Sequence, residues 1–236
     1  MILLNNIGKA FDGKWAVKDL SLEIPKGEIF GLVGPNGAGK TTAIRMMTGL
    51  LSPTEGNALI GGFDIQKEPM EAKSIIGYIP DRPFLYEKLT AKEFLLFISS
   101  IYNLEKNKAV SKAGELLETF GLKDVEHSFI ESYSHGMRQR LVFASALIHD
   151  PKIIIIDEPF VGLDPFGVLL IRDIIRRLAE EGASVFLATH SLHIAGELCH
   201  RVGLINRGRL TAVKPRDEIK TFEGGLEGFF LKEASE

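Results

Sequence analysis

The chain has 236 residues, with 28 Lys and Arg against 31 Asp and Glu, for a formal net charge of −3. A length of this order holds one or two domains and buries roughly 70–75% of the unfolded surface, so no disulfide or metal staple is required. The near balance of charge excludes a general nucleic-acid binder, and a single cysteine, Cys199, excludes a disulfide framework or a multi-cysteine metal site.

No apolar run reaches the length of about 18 residues that a membrane span needs. Residues 1–6 carry no basic flank and no small-residue cleavage site, so they do not read as a signal peptide. Both features predict a cytosolic chain that reaches a membrane only through a partner.

Taken in order, residues 17–24 alternate apolar and polar side chains, as a half-exposed strand does. Residues 29–33 are a short apolar run that suits a strand buried on both faces of a parallel sheet. Directly after it, Gly34-Pro35-Asn36-Gly37-Ala38-Gly39-Lys40-Thr41 satisfies G-x-x-x-x-G-K-[ST] in full. Residues 42–50, opening with Thr42, read as the helix that follows. The chemistry of this pattern is phosphate binding. Glycines let backbone N–H groups point inward around an anion, and the helix N-terminus adds a favourable partial charge. Lys40 is then expected to reach the β- and γ-phosphates, and the Thr41 hydroxyl to ligate Mg2+.

Farther along, Phe94, Phe97, Ile98 and Ile101 recur at helical spacing, with Glu93, Ser99 and Asn103 elsewhere on the turn. Leu116, Leu117 and Phe120 mark a second helix that Gly121 ends, and residues 134–148 a third. Residues from about 90 to 150 thus read as a helical insertion in an α/β chain. The apolar run 153–156 predicts a buried strand that brings Asp157 and Glu158 to its C-terminal end, where ligands bind in open α/β sheets. Beside a phosphate loop, Asp157 is expected to hold Mg2+ through its shell and Glu158 to polarise the attacking water as general base. Residues 184–188 predict a further buried strand. A short helix, a hairpin around Asn206-Arg207-Gly208 and a tail complete the chain.

A phosphate loop alone says NTPase, and the stretch Tyr133-Ser134-His135-Gly136-Met137 narrows it. It resembles the LSGGQ signature of ABC-type ATPases, in a YSHGM form. Gly162-Leu163-Asp164 resembles that family's D-loop, and Thr189-His190-Ser191 its switch-histidine segment. Phe11 stands where the family places an aromatic residue against adenine. The resemblance runs from about residue 2 to about residue 231. It implies an α/β fold: a P-loop NTPase core with a mixed sheet, an antiparallel β N-terminal subdomain and an inserted α-helical subdomain. Within one ATPase domain, the core and β subdomain take about 1–90 and 150–215, the helices about 90–150, and a tail about 216–236.

The resemblance also implies an ATPase using ATP and Mg2+, in which two such domains close head to tail. Each ATP then lies between the Lys40 loop of one copy and Ser134, Gly136 and Met137 of the other, with Asp164 nearby. Amides at a helix N-terminus can donate to a γ-phosphate across such an interface, and hydrolysis removes the charge that held it closed. His190 is placed to position the water against Glu158. Asp164 also reads as an N-cap before Pro165 at the first helical position, a role that can coexist.

Two places depart from the family pattern. Asp81, in Gly77-Tyr78-Ile79-Pro80-Asp81-Arg82, falls where the family carries a glutamine that senses Mg2+ and water. A carboxylate also accepts from a metal-bound water, but it is shorter and adds charge; the alternative is a turn residue before Pro83. His135 and Met137 replace the second glycine and the glutamine of the signature, while Ser134 and Gly136 remain. Trp15 competes with Phe11 for the adenine face, since stacking needs only a flat apolar ring.

Phe84-Leu85-Tyr86 forms an apolar cluster on a loop beside the helical stretch, which reads as a partner site or else as simple core packing. In the family this groove receives a short helix of an integral-membrane transporter subunit. The YSHGM form, Asp81 and Leu226-Glu227-Gly228-Phe229-Phe230-Leu231-Lys232 resemble the exporter-type branch. The expected partners are that membrane subunit and a second ATPase subunit, identical or different, with no nucleic acid. The expected location is the cytoplasmic face of a membrane. The alternatives are an ABC-type ATPase acting on ribosomes or DNA and a regulator without turnover. The former usually carries two ATPase units or a long coiled-coil insertion, and here there is one unit and no long heptad run. The latter is expected to lack Glu158 or His190.

Overall fold

The computed structural model of the chain describes residues 1–82, 84–222, 224–226 and 228–229. Chain order begins with β1 (Ile2–Phe11), β2 (Lys14–Ile24), β3 (Ile29–Val33), α1 (Lys40–Met47), β4 (Glu55–Ile60), β5 (Phe63–Asp64), α2 (Pro69–Ser74) and β6 (Ile76–Ile79). Then come α3 (Ala91–Ile101), α4 (Lys106–Thr119), single 3-10 turns at Lys123–Val125 and Ile130–Ser132, and α5 (His135–Leu147). The rest is β7 (Ile153–Asp157), α6 (Pro165–Glu180), β8 (Ser184–Thr189), α7 (Leu192–Leu198), β9 (Arg201–Asn206), β10 (Arg209–Pro215) and α8 (Arg216–Lys220).

Two sheets result. One is antiparallel, in the order β2-β1-β4-β5; the other is six-stranded and mixed, in the order β10-β9-β3-β8-β7-β6. In the second, all neighbours pair parallel except β9 and β10. β3, β7 and β8 are buried at every position. That is why they read as unbroken apolar runs, whereas β2 alternates and buries one face. Period two divides their side chains between two cores. Ile29, Val33, Ile154, Ile156, Val185 and Leu187 meet helices α3 to α7. Phe30, Leu32, Ile153, Ile155 and Phe186 meet α1 and the antiparallel sheet.

The strand ends are level. Val33 pairs with Thr189, Asp157 with Ala188, and Ile79 with Ile156. The loop from Gly34, the pair Asp157-Glu158, the segment from Thr189 and the segment carrying Asp81 therefore leave one edge of the sheet together, at the carboxyl ends of its strands.

Two expectations need correction. The first helix runs over Lys40–Met47 rather than 42–50. It starts early because Gly39, at φ 111, turns the chain into the helix inside the phosphate loop. It stops early because Gly49 adopts φ 66, and the N–H groups of Gly49 and Leu50 return to Met46 O and Arg45 O in a Schellman closure. The second correction is the face α3 buries. Ala91, Phe94, Leu95 and Ser99 are buried, while Phe97 and Ile101 are exposed. α3 is apolar on two sides, so periodicity alone does not choose; Phe97 packs edge-on against Tyr86 instead, with ring centroids 5.4 Å apart. Ser99 enters the core because its hydroxyl donates to Leu96 O at 2.7 Å.

His149, just past α5, ties the helices to the sheet. Its ring stacks on Tyr102 at 3.7 Å, and Nε2 lies 3.0 Å from Ile76 O. Burial holds its pKa below the ordinary value, with the Ile76 carbonyl and Asp150 opposing. The folded chain thus favours the neutral ring, so its contribution to stability is present above the unfolded imidazole pKa and is lost as pH falls from there through the lowered folded value. His149→Gln is expected to flatten the fall in melting temperature between about pH 7.5 and pH 5.5, around the usual histidine range. Thermal melts across that range check it; an unchanged slope would remove His149 as the titrating group.

Candidate active site

The backbone shapes the anion cradle. Helix α1 opens at Lys40, and the N–H groups of its first turn have no intrahelical acceptor. They adjoin a cavity of about 230 Å3 lined by Ala16, Asn36, Gly37, Gly39, Lys40, Thr41, Thr42, Asp81, Asp157 and Glu158. A Cβ at Gly39 would lie 2.7 Å from Ala16 O, so the close approach of loop and strand requires glycine there. Gly34 and Pro35 supply carbonyls to Lys40, and Ala38 supplies one to a distant hairpin. That hairpin, between β9 and β10, turns at Arg207-Gly208; Gly208 donates to Ala38 O and accepts from Lys18 N, each at 2.8 Å.

Lys40 is 7% exposed, and its Nζ donates to Gly34 O at 2.7 Å and to Pro35 O at 3.2 Å. The same Nζ lies 4.0 Å from Glu158 Oε1. Burial lowers the Lys40 pKa, while the charges of Glu158 and Asp157 work against that. Thr41 Oγ1 donates to Asp157 Oδ2 at 2.9 Å. Burial raises the Asp157 pKa, and repulsion from Asp81 and Glu158 adds to it, against the Thr41 bond and the Lys40 charge. Among the described residues that line the cavity, three carboxylates thus face one lysine.

Glu158 has both oxygens engaged. Oε1 lies 2.9 Å from His190 Nδ1, and Oε2 accepts from Thr189 Oγ1 at 3.1 Å. A carboxylate only accepts, which puts the imidazole proton on Nδ1.

The other expected residues lie elsewhere. Ser134 caps α5, its Oγ accepting from Met137 N at 3.3 Å. Asp164 caps α6, its Oδ1 accepting from Gly167 N at 2.6 Å. Gly136 and Met137 sit in the first turn of α5. None of these four lines the phosphate cavity of the same copy. His135 lies over Gly162, its Nε2 3.4 Å from Val161 O. Phe11 is 48% exposed at the end of β1, with Lys9 Nζ 5.5 Å from its ring centroid; Trp15 is similarly covered by Lys18. Neither ring lines the cavity.

Three contributors escaped the sequence reading. Ala16 and Gly208 reach the loop through long-range pairing that leaves no local signal. The Thr189 hydroxyl did leave one, as a polar side chain ending an otherwise apolar strand.

Among the described residues no group of three or more His, Cys, Asp or Glu side chains is arranged to hold a metal ion. Thr41 and Asp157 instead offer a small set of hard oxygen donors. That fits Mg2+, which takes one or two carboxylates and completes its shell with phosphate and water. Among the described residues, no helix is long and apolar enough to cross a membrane.

A family model described as ABC transporter matches residues 17–161. A second, described as AAA domain, putative AbiEii toxin, Type IV TA system, matches residues 130–195. The chain is 40% identical over 225 residues to the Linearmycin resistance ATP-binding protein LnrL of Bacillus subtilis (strain 168), covering 95% of this chain and 72% of that one. It is 36% identical over 241 residues to the ABC transporter ATP-binding protein NatA of the same organism, covering 100% and 94%. A solved ATP binding subunit of an ABC transporter matches with a TM-score of 0.92 at 29% identity, over 99% of both chains. A dimeric post-hydrolysis state of the ATP-binding cassette MJ0796, bound to ADP and Pi, matches with a TM-score of 0.82 at 26% identity, over 92% of this chain and 99% of that one. With the family match spanning more than half of its length and both relatives covered over more than two thirds of theirs, the chain belongs to the ABC transporter family, as one of its ATP-binding cassettes.

Proposed function

We propose that this cassette binds and hydrolyses ATP by closing head to tail on a second ATPase subunit, and that closure drives a separate integral-membrane subunit. The observation that carries this reading is the convergence of Lys40, Thr41, Asp157, Glu158 and His190 at one edge of the mixed sheet. The loop from Gly34 to Thr42 cradles the phosphates, with Lys40 on the β- and γ-oxygens. Thr41 and Asp157, with Asp81 directly or through water, would hold a Mg2+ ion, which would supply neutralisation of phosphate charge. Glu158 takes the proton of the attacking water, and His190 orients that water and the γ-phosphate. Phe11 stacks on adenine. Ser134, Gly136, Met137 and Asp164 serve the nucleotide of the opposite copy, which accords with their distance from the cavity of their own. The dimer reported for MJ0796 with ADP and Pi supports such a pairing.

The membrane partner takes the groove of about 820 Å3 lined by Phe84, Tyr86, Phe97 and Arg138. Phe84 is 82% exposed, and its ring meets Tyr86 edge-on at 5.6 Å. An apolar, aromatic groove of this kind suits a short helix. The helices of about 90–150 form the subdomain that carries the groove, set on a core and β subdomain of about 1–90 and 150–215. The cassette then sits on the cytoplasmic face through its partner. Similarity to a linearmycin resistance protein favours export. The terminal stretch 226–232 that resembles the exporter branch lies partly outside the described residues, at Glu227 and 230–232.

The test is the solution mass of Glu158→Gln with and without Mg-ATP. A dimer formed only with Mg-ATP is the expected result. A persistent monomer that still binds ATP would overturn self-pairing and direct the search to a different ATPase subunit.

A further inference from the structure

We propose that Thr189 is a positioning residue for Glu158, one that fixes which carboxylate oxygen receives the proton of the attacking water. The inference rests on the reading of Glu158 as the base. Glu158 stands at φ 48, a left-handed backbone that non-glycine residues seldom adopt. Its N–H donates to Ala188 O at 2.9 Å, which pins that backbone to β8. Its carboxylate then divides its partners. Oε1 faces Lys40 Nζ at 4.0 Å and His190 Nδ1 at 2.9 Å; among the described residues Oε2 accepts only from Thr189, at 3.1 Å.

The two holders differ in freedom. The His190 side chain is 58% exposed, while Thr189 is 2% exposed. Thr189 has a stiff, β-branched side chain, and its hydroxyl has one proton to give. Its oxygen already accepts from Ser191 N at 3.0 Å, which leaves the O–H aimed at Glu158. Ser191 in turn caps α7 through Ile194 N. One buried hydroxyl thus joins the end of β7, the end of β8 and the start of α7. With Oε2 committed to Thr189, Oε1 is the oxygen released toward the cavity when the exposed His190 moves. In the transfer, the water proton passes to Oε1 and the water oxygen bonds to the γ-phosphorus. The bond from that phosphorus to the bridging oxygen breaks, leaving ADP and phosphate. Thr189 keeps its own proton throughout.

Thr189→Val keeps the shape and removes the hydroxyl. In the purified full chain hydrolysing Mg-ATP, kcat is expected to fall by about tenfold to hundredfold, as for loss of one hydrogen bond to a charged group. KM for ATP should stay within about twofold, because ground-state binding does not use this contact. Thr189→Ser should recover to within about threefold, since it restores the donor. In the Glu158→Gln background, Thr189→Val should change the residual rate by less than about twofold, because the side chain it positions no longer takes a proton. A normal kcat for Thr189→Val overturns the inference while leaving Glu158 as the base. So does a loss that serine does not rescue, or one that persists beside Glu158→Gln, since either marks a structural defect. A parent chain that binds Mg-ATP without turnover overturns the base assignment and this inference together. Thr189→Ala takes the place of the valine variant should that one fail to fold.

Discussion

Glu158→Gln is expected to bind Mg-ATP as the parent does and to lose turnover by roughly 10^2- to 10^4-fold, the range that a positioned general base contributes. The cradle explains the first half. Lys40 and Thr41 make their contacts to Gly34, Pro35 and Asp157 without help from Glu158. The amide explains the second half. Glutamine keeps the volume and can still accept from Thr189, but it takes up no proton from water near neutral pH. Its loss of charge also relieves the crowding of Asp157, whose pKa Glu158 and Asp81 both push upward beyond the effect of burial. Nucleotide affinity should therefore hold or improve. Calorimetric binding and single-turnover phosphate release, measured on the same preparation, separate the two effects. Unchanged turnover would remove Glu158 as the base, whatever its place in the site.

Lys40→Ala is expected to act on the other half, weakening ATP binding by about tenfold to hundredfold, as for loss of a hydrogen bond to a charged group. Two contributions add. The variant loses the cation that meets the phosphates, and it loses the bonds at 2.7 and 3.2 Å that close the loop on its own carbonyls. It also leaves Asp157, Glu158 and Asp81 facing an incoming tetra-anion without the buried charge of Lys40. The first-turn N–H groups of α1 remain, so binding is reduced rather than abolished. A titration with a fluorescent nucleotide reads the change directly; parent-like affinity would contradict the role of Lys40 in the cradle.

The sequence carried the central parallel strands well, because burial on both faces leaves an unbroken apolar run. Residues 29–33 coincide with β3, and 153–156 and 184–188 each fall one residue short of strands that end in a polar side chain. It also placed Gly34–Thr41, Asp157-Glu158 and Thr189-His190 at strand ends, and strand ends are where the sheet brings them level. Less was legible where structure depends on distant partners. β4 pairs with β1 across a long separation, and β5 is only two residues long. The buried face of α3 was ambiguous, since Phe94 and Phe97 are equally apolar and only the neighbours decide between them. The left-handed backbone of Glu158 has no signature at all in a residue type that rarely adopts it. Asp81 lines the phosphate cavity and Phe11 does not, and the work of both depends on a bound nucleotide.

The clasp of Gly208 on Ala38 has a consequence for biosynthesis. Gly208, which ties Ala38 of the phosphate loop to Lys18 of β2, leaves the ribosome about 170 residues after that loop. Central strand β3 likewise waits for β8 and β9 on its two sides. A nascent chain therefore carries every residue of the cradle long before it possesses the cradle. Nucleotide can stabilise only the finished molecule, so truncation anywhere before the β9–β10 turn should yield a chain that ATP does not protect from proteolysis.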